Sequence, residues 1–341
     1  MNQITPVIPA PDQAAFAHRQ SAHCESGVVA NMVTHGGLAM NEPMAFGLSS
    51  ALTFAYMPMI KMAGMPLIAY RMPPGHIIKG VAKQLGMSWK RQTFSDPAAG
   101  KAALDAQLDQ GHAVGLQTCV YWLPYFPEDM RFHFNAHNLV VFGREGDDYL
   151  ISDPIFEQAV RCDSASLQKA RFAKGAMAAK GMMYFPEGTP KEIDYERAIP
   201  RAIRTNRRIM VGAPLPIIGV RGIRFLGRNI AKVAARPDAA SYLPQYLGHI
   251  VRMQEEIGTG GAGFRFLYAS FLQEAGRILD KPLLKEASLA LTDAGDDWRR
   301  FALVATKMAR GRQTLDVKAL DVILNRIADK ELAMWGMLKG F

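Results

Sequence analysis

Cys24 stands in the segment HCESGVVAN, where the pattern predicts a helix over 26–35 that begins at or just after the cysteine. Unsatisfied backbone N–H groups and the helix dipole stabilise a thiolate at such a place, so it suits a nucleophile. A thiolate at neutral pH also needs a base or ion-pair partner, and an imidazole works best when a carboxylate fixes its other nitrogen. The segment HNLVVFGREGDDYLISDP supplies both: apolar runs flank the turn-like Arg144-Glu145-Gly146-Asp147, a β-hairpin pattern. A hairpin centred near Glu145 puts His137 directly across from Asp153 on one face, about 5 Å apart at Cβ. A one-residue slip would break that pairing. The expected constellation is Cys24 as nucleophile, His137 as general base and then acid, and Asp153 as orienting acceptor.

An acyl-transfer site also needs donors for an oxyanion. The backbone N–H of Cys24 is one, and the side chain of Gln20 or His23 is the expected second, in a segment also crowded by His18 and Arg19. Glu42 and Arg71, polar points in apolar stretches, are expected either to line a substrate pocket or simply to form ion pairs. Cys119, within an apolar strand, reads as core, and Cys162, beside a helix start at Asp163, as incidental. His112 and His133 have no carboxylate placed by an obvious turn.

The elements that must position these groups are mixed in the first half. Helices are expected at 26–35, at 42–57 after Asn41-Glu42-Pro43, at 74–85 and at 96–110, and extended runs at 66–71, 87–92 and 113–121. Beyond Pro190 the pattern is nearly all helical, with helices at 195–208, 219–235, 238–256, 262–279, 282–293, 295–310 and 316–338. The predicted division is an α+β catalytic domain, with the cysteine helix packed on an antiparallel sheet, over 1–190 and a basic all-α domain over 191–341. The Gly-rich GTGGAG (258–263) could wrap a phosphate with its N–H groups, but no strand precedes it, which favours a flexible interhelical turn that allows close packing.

The chain has 341 residues, 49% hydrophobic and 21% charged, which excludes a disordered or low-complexity protein and gives room for two domains. Three scattered cysteines exclude a disulfide framework or a four-cysteine zinc site and point to a reducing, cytoplasmic setting. No cofactor or metal is expected. The N-terminus shows no secretory signal, and the most apolar window, 46–70, is interrupted by Pro58, Lys61, Gly64 and Pro66, so no transmembrane segment is expected. The net charge of +9 lies entirely in the second half. Between Glu196 and Arg236 ten basic residues face one acid, which would attract an acidic partner unless the run is only a solvated helical face. No nucleic-acid signature accompanies it, so nucleic acid is not the expected partner. Nineteen methionines leave room for a homo-oligomer interface.

The segments HCESGVVANMVTHGGL, NEPMAFGLSSALTFAY, AYRMPPG and FNAHNLVVFGREGDDYLISDP resemble the N-terminal domain of the butirosin-biosynthesis acyltransferase family, a papain-like cysteine fold. GGAGFRFLYASFLQEA and DDWRRFALVATKMARG are similar to the helical domain that accompanies it. The resemblance implies transfer of an acyl group from an acidic acyl carrier protein's thioester, through a Cys24 thioester, to a small amine or hydroxyl acceptor. The phosphopantetheine arm of the carrier would then be part of the substrate. A cysteine peptidase or amidohydrolase with the same triad, and a non-catalytic carrier-binding scaffold, are the alternatives. The chain departs from papain-like hydrolases in carrying His18 where they carry a Gln six residues before the cysteine.

Overall fold

The structure is a computed structural model that describes residues 16–62 and 64–341. The reading of the N-terminus as lacking a secretory signal falls on residues outside this range. In chain order the elements are α1 (Cys24–His35), α2 (Glu42–Leu48), β1 (Leu52–Met62), β2 (Met65–Arg71), α3 (His76–Leu85), β3 (Ser88–Gln92), α4 (Pro97–Asp109), β4 (Val114–Thr118), β5 (His137–Glu145), β6 (Asp148–Ser152), β7 (Val160–Asp163), α5 (Ser164–Arg171) and β8 (Met183–Glu187). Six long helices follow: α6 (Tyr195–Gly212), α7 (Gly219–Ala234), α8 (Ala239–Glu255), α9 (Arg265–Ile278), α10 (Pro282–Ala309) and α11 (Val317–Met337).

The chain forms two compact units. The first holds 16–45 and 77–193, and the second holds 46–76 and 194–341. In the first, an α+β unit, six antiparallel strands run in the order β3-β8-β4-β5-β6-β7. α1 packs against β5, and α4 packs on β4 and β5. Because helices cover this strand, Leu139, Val140 and Val141 are buried in succession rather than alternately. α1 is buried over ten consecutive residues from Cys24 to Val33, including the polar Glu25, Ser26 and Asn31.

Several expectations need correction. The helix expected at 42–57 stops at Leu48, and 52–62 is strand β1, paired antiparallel with β2. Ser50 adopts a left-handed φ of 57°, which ends the helical run, and Leu52, Thr53, Phe54 and Tyr56 are better suited to a strand. An apolar run without periodicity does not distinguish the two. The segment 46–76 accordingly sits in the second unit, not in a continuous first domain, because β1 packs on α6 and α7 and β2 on α8. The two helices expected at 282–293 and 295–310 are one 28-residue helix, α10. Gly295 does not break it: a Cβ there would meet the Phe266 ring at 2.6 Å, so the glycine serves close packing. The Gly-rich loop turns inward. Gly261 N–H donates to Thr259 Oγ1 (3.1 Å) and Ala262 N–H to the Glu255 carboxylate (3.2 Å), which leaves the phosphate-cradle reading without those donors. Among the described residues no helix is long and apolar enough to cross a membrane.

Candidate active site

Cys24 is the first residue of α1, and His23 caps the helix with a side chain that accepts the Ser26 N–H. Glu42, at the start of α2, fixes the approach to that cap. Its carboxylate accepts the backbone N–H of Ala22 (2.9 Å) and of His23 (2.7 Å) and the Ser26 hydroxyl (3.0 Å). Burial pushes the Glu42 carboxyl up despite these bonds. Glu42, expected to line a pocket or form an ion pair, thus braces the start of the cysteine helix.

The segment before Cys24 is fastened to the segment that carries Asp153. His18 donates from Nε2 to the Phe156 carbonyl (3.0 Å) and accepts at Nδ1 from the Ser152 hydroxyl (2.7 Å). Gln20 donates to the Ile155 carbonyl (3.1 Å), and the Ser21 N–H to the Pro154 carbonyl (2.7 Å). The approach is so close that a Cβ on Gly27 would lie 2.6 Å from Ser21 Cβ and 2.7 Å from Pro154 Cβ. Of the expected oxyanion donors, the Gln20 amide and the His23 ring are therefore held by these local bonds. The Cys24 N–H, at the first helical position, remains a donor that the helix itself cannot satisfy. Arg71 belongs to the second unit, where its guanidinium donates to the Met72 carbonyl (2.8 Å).

His137 opens β5 and Asp153 follows the last residue of β6, but they are not directly opposite. The hairpin closes on the pair Glu145–Asp148, so near the turn each residue of β5 meets a partner three residues later than a centre at Glu145 implies, and the turn is Gly146-Asp147. Gly143 then pairs with Leu150, and Val141 with Ile151, which leaves Phe142 as an extra residue in a β-bulge. Extending the Val140–Ser152 pairing by one step brings Leu139 across from Asp153, with His137 two residues on, on the same face and the diagonal. Without the bulge, Val140 would face Asp153 and His137 would lie on the other face. The bulge therefore makes the contact: His137 Nε2 lies 2.7 Å from Asp153 Oδ2.

Asp153 is held from three sides. Its Oδ2 also accepts the Tyr125 hydroxyl (2.9 Å), and its Oδ1 accepts the Ile155 N–H (3.1 Å). Phe126 meets the His137 ring edge to face, with centroids 5.5 Å apart. Cys24, His137 and Asp153 are 8%, 4% and 0% exposed, so solvent is largely excluded from all three. Burial alone would lower His137, but the Asp153 charge and hydrogen bond, with a further hydrogen bond and charge from Cys24, raise it to about 10. With Nε2 turned to Asp153, Nδ1 is the nitrogen left for the sulfur. The imidazole is thus poised to exchange a proton with a thiol on one side while a carboxylate stabilises its charged form on the other.

Tyr125 and Phe126 were not anticipated. They sit in the aromatic YWLPYFP stretch between β4 and β5, whose composition announces bulk but not its path past His137. Cys119 lies just beyond β4 rather than within it, buried, with Sγ 4.0 Å from Nδ1 of His133. His133 is exposed and stacked on Tyr121, and no carboxylate pairs with it among the described residues. Burial pushes the Cys162 thiol up, as for an inert core sulfur. Among the described residues no three His, Cys, Asp or Glu side chains gather as a metal site.

Residues 23–154 match the family model described as butirosin biosynthesis protein H, N-terminal. Residues 165–338 match the one described as a domain of unknown function, DUF4872. None of the curated proteins matches the chain. Among solved structures, a crystal structure described as that of a C39-like peptidase from Bacillus anthracis is 14% identical, with a TM-score of 0.37, over 52% of this chain and 96% of that one.

Proposed function

For a chain that belongs to the DUF4872 family and carries a butirosin biosynthesis protein H-like segment ahead of that domain, we propose cysteine-dependent acyl transfer. The donor is the thioester of an acyl carrier protein, whose phosphopantetheine arm is part of the substrate, and the acceptor is a small amine or hydroxyl compound. His137 takes the Cys24 proton, and the thiolate adds to the thioester carbonyl. The oxyanion is met by the Cys24 N–H at the start of α1. Collapse expels the carrier thiol, which receives its proton from His137, and leaves the acyl group on Cys24. His137 then takes the acceptor's proton as the acceptor attacks, and returns it to the departing Cys24 sulfur. Asp153 holds the imidazole in one orientation and offsets its charge in both halves.

The observation that carries this reading is the His137–Asp153 contact of 2.7 Å beside a helix-borne cysteine, with all three side chains buried. Exclusion of water favours a thioester that waits for an acceptor over one that is hydrolysed. Three free, buried cysteines suit a reducing cytoplasmic setting. The test is to incubate the protein with a loaded carrier and follow intact mass. Transfer requires an acyl adduct that Cys24→Ala abolishes and that added acceptor discharges. Release of free acid at the same rate without acceptor would make it a hydrolase, and binding without adduct a scaffold.

A further inference from the structure

The basic run between Glu196 and Arg236 separates, in the folded second unit, into groups that are spent internally and groups that are not. Arg207 donates to the Trp335 carbonyl, Arg221 to the Ala213 carbonyl, Arg224 to Asn325 and Asp329, and Arg236 to Asp238. Arg228 and Lys232, on α7, are exposed and in no ion pair among the described residues, and Arg197, Arg201, Arg204 and Arg208 form a longer row. All four are exposed on α6, and none is in an ion pair among the described residues. Their spacings of four, three and four place them within about 60° of one another around the helix, along about 16 Å of its axis. The buried residues Ala198, Ile199, Ala202, Ile203, Asn206 and Met210 occupy the opposite side.

We propose that this face of α6 is a docking rail for a protein partner that presents an acidic helix. A partner helix with carboxylates three and four residues apart repeats at the same pitch of about 5.4 Å, so acid meets guanidinium along the whole contact. Arginine forks suit carboxylates at each step. A bilayer surface is disfavoured, because no large apolar side chain is exposed on α6 for insertion beside the charges. Single-stranded nucleic acid is disfavoured, because the rail holds no aromatic ring on which a base could stack. The proposal rests on the acyl-transfer reading in one respect: under that reading the partner is the thioester-bearing donor.

The test compares the wild type with Arg201→Glu/Arg204→Glu and with Arg300→Glu/Lys307→Glu, which makes the same change of net charge at two exposed basic positions of α10. Circular dichroism confirms folding. Affinity for an acidic carrier protein is measured by titration, separately from Cys24 acylation by the hexanoyl thioester of free pantetheine, followed by intact mass. The rail predicts that the α6 variant loses affinity by about tenfold or more, that the α10 variant stays within about twofold, and that wild-type binding weakens steeply with salt. Equal losses in both variants, no loss in either, or no carrier binding by the wild type overturns the rail. So does tighter binding of duplex DNA or phosphatidylserine vesicles that the α6 variant loses. Failure of the pantetheine thioester to acylate wild-type Cys24 counts against acyl transfer alone, while the titrations still judge the rail.

Discussion

Asp153 decides the charge state of His137. Burial pushes the imidazole down, and the carboxylate 2.7 Å away, with help from Cys24, more than reverses this, to about 10. Asp153→Asn keeps the shape and removes the charge, so burial regains control. The acylation rate should then fall by about 10²–10⁴-fold, and the alkaline limb of its pH profile should move down by more than about one unit. An unchanged limb would show that His137 is not the group being titrated. The same shift is a stability statement. The folded value lies above the ordinary 6.5, so the contribution is fully present below 6.5 and is lost as pH rises through about 10. Thermal melts of wild type between pH 6.5 and 10 should lose more stability than those of His137→Gln. Gly27 is the second single-residue determinant, since a Cβ there has no room against Ser21 and Pro154. Gly27→Ala should cost about 1–3 kcal/mol in denaturant unfolding and slow acylation, because the cysteine helix must back away from the Asp153 turn. Cys24, His137 and Asp153 could be singled out from sequence because each carries a local mark: a cysteine at a helix start, and a histidine and an aspartate at the outer ends of a hairpin. Tyr125 carries none, because its role follows from where a loop passes in three dimensions.

Between elements the decisive quantity is strand register. The sequence pattern marks a hairpin whose outer ends carry His137 and Asp153, and the hairpin forms, but near its turn each partner lies three residues later than a centre at Glu145 implies. Since side chains alternate, a shift by an odd number of residues would by itself put the two groups on opposite faces. The extra residue Phe142 restores the face, and a bulge inside a continuous apolar run such as LVVFG leaves no compositional trace. Deletion of Phe142 should therefore separate imidazole from carboxylate while the rest of the sheet keeps its pairing. The expected result is a folded protein by circular dichroism, without acylation and with the His137 imidazole back at or below 6.5 by NMR titration. Retention of the raised value would mean that the bulge does not set the face. The same blindness of pattern to context explains 42–57. Helix and strand are both compatible with a uniformly apolar stretch, and the left-handed Ser50 that divides α2 from β1 is a backbone fact.

At the scale of the whole chain, the change from mixed to helical pattern near residue 190 locates one crossing, Ile193 to Asp194, but not the excursion of 46–76. That segment leaves within α2, contributes β1 and β2 to the helical unit, and returns at the start of α3. Its place in the chain, before the change of pattern, assigns it to the first half, whereas its buried face belongs with α6, α7 and α8. Leu52, Phe54, Tyr56, Ile68 and Tyr70 are all nearly inaccessible in the full chain, and Tyr56 shares its hydroxyl with Tyr246 (2.7 Å) and Asn229 (3.0 Å). A fragment ending at residue 190 would carry these side chains without their cover. Each aromatic ring buries about 150–250 Å², so three of them alone exceed the few hundred Å² of apolar surface that a soluble monomer tolerates. The fragment should aggregate or bind a hydrophobic dye strongly, and co-expression with residues 191–341 should relieve both. A soluble, monomeric, dye-silent fragment on size exclusion would show that the helical unit is an appendage rather than a structural partner of the inserted strands.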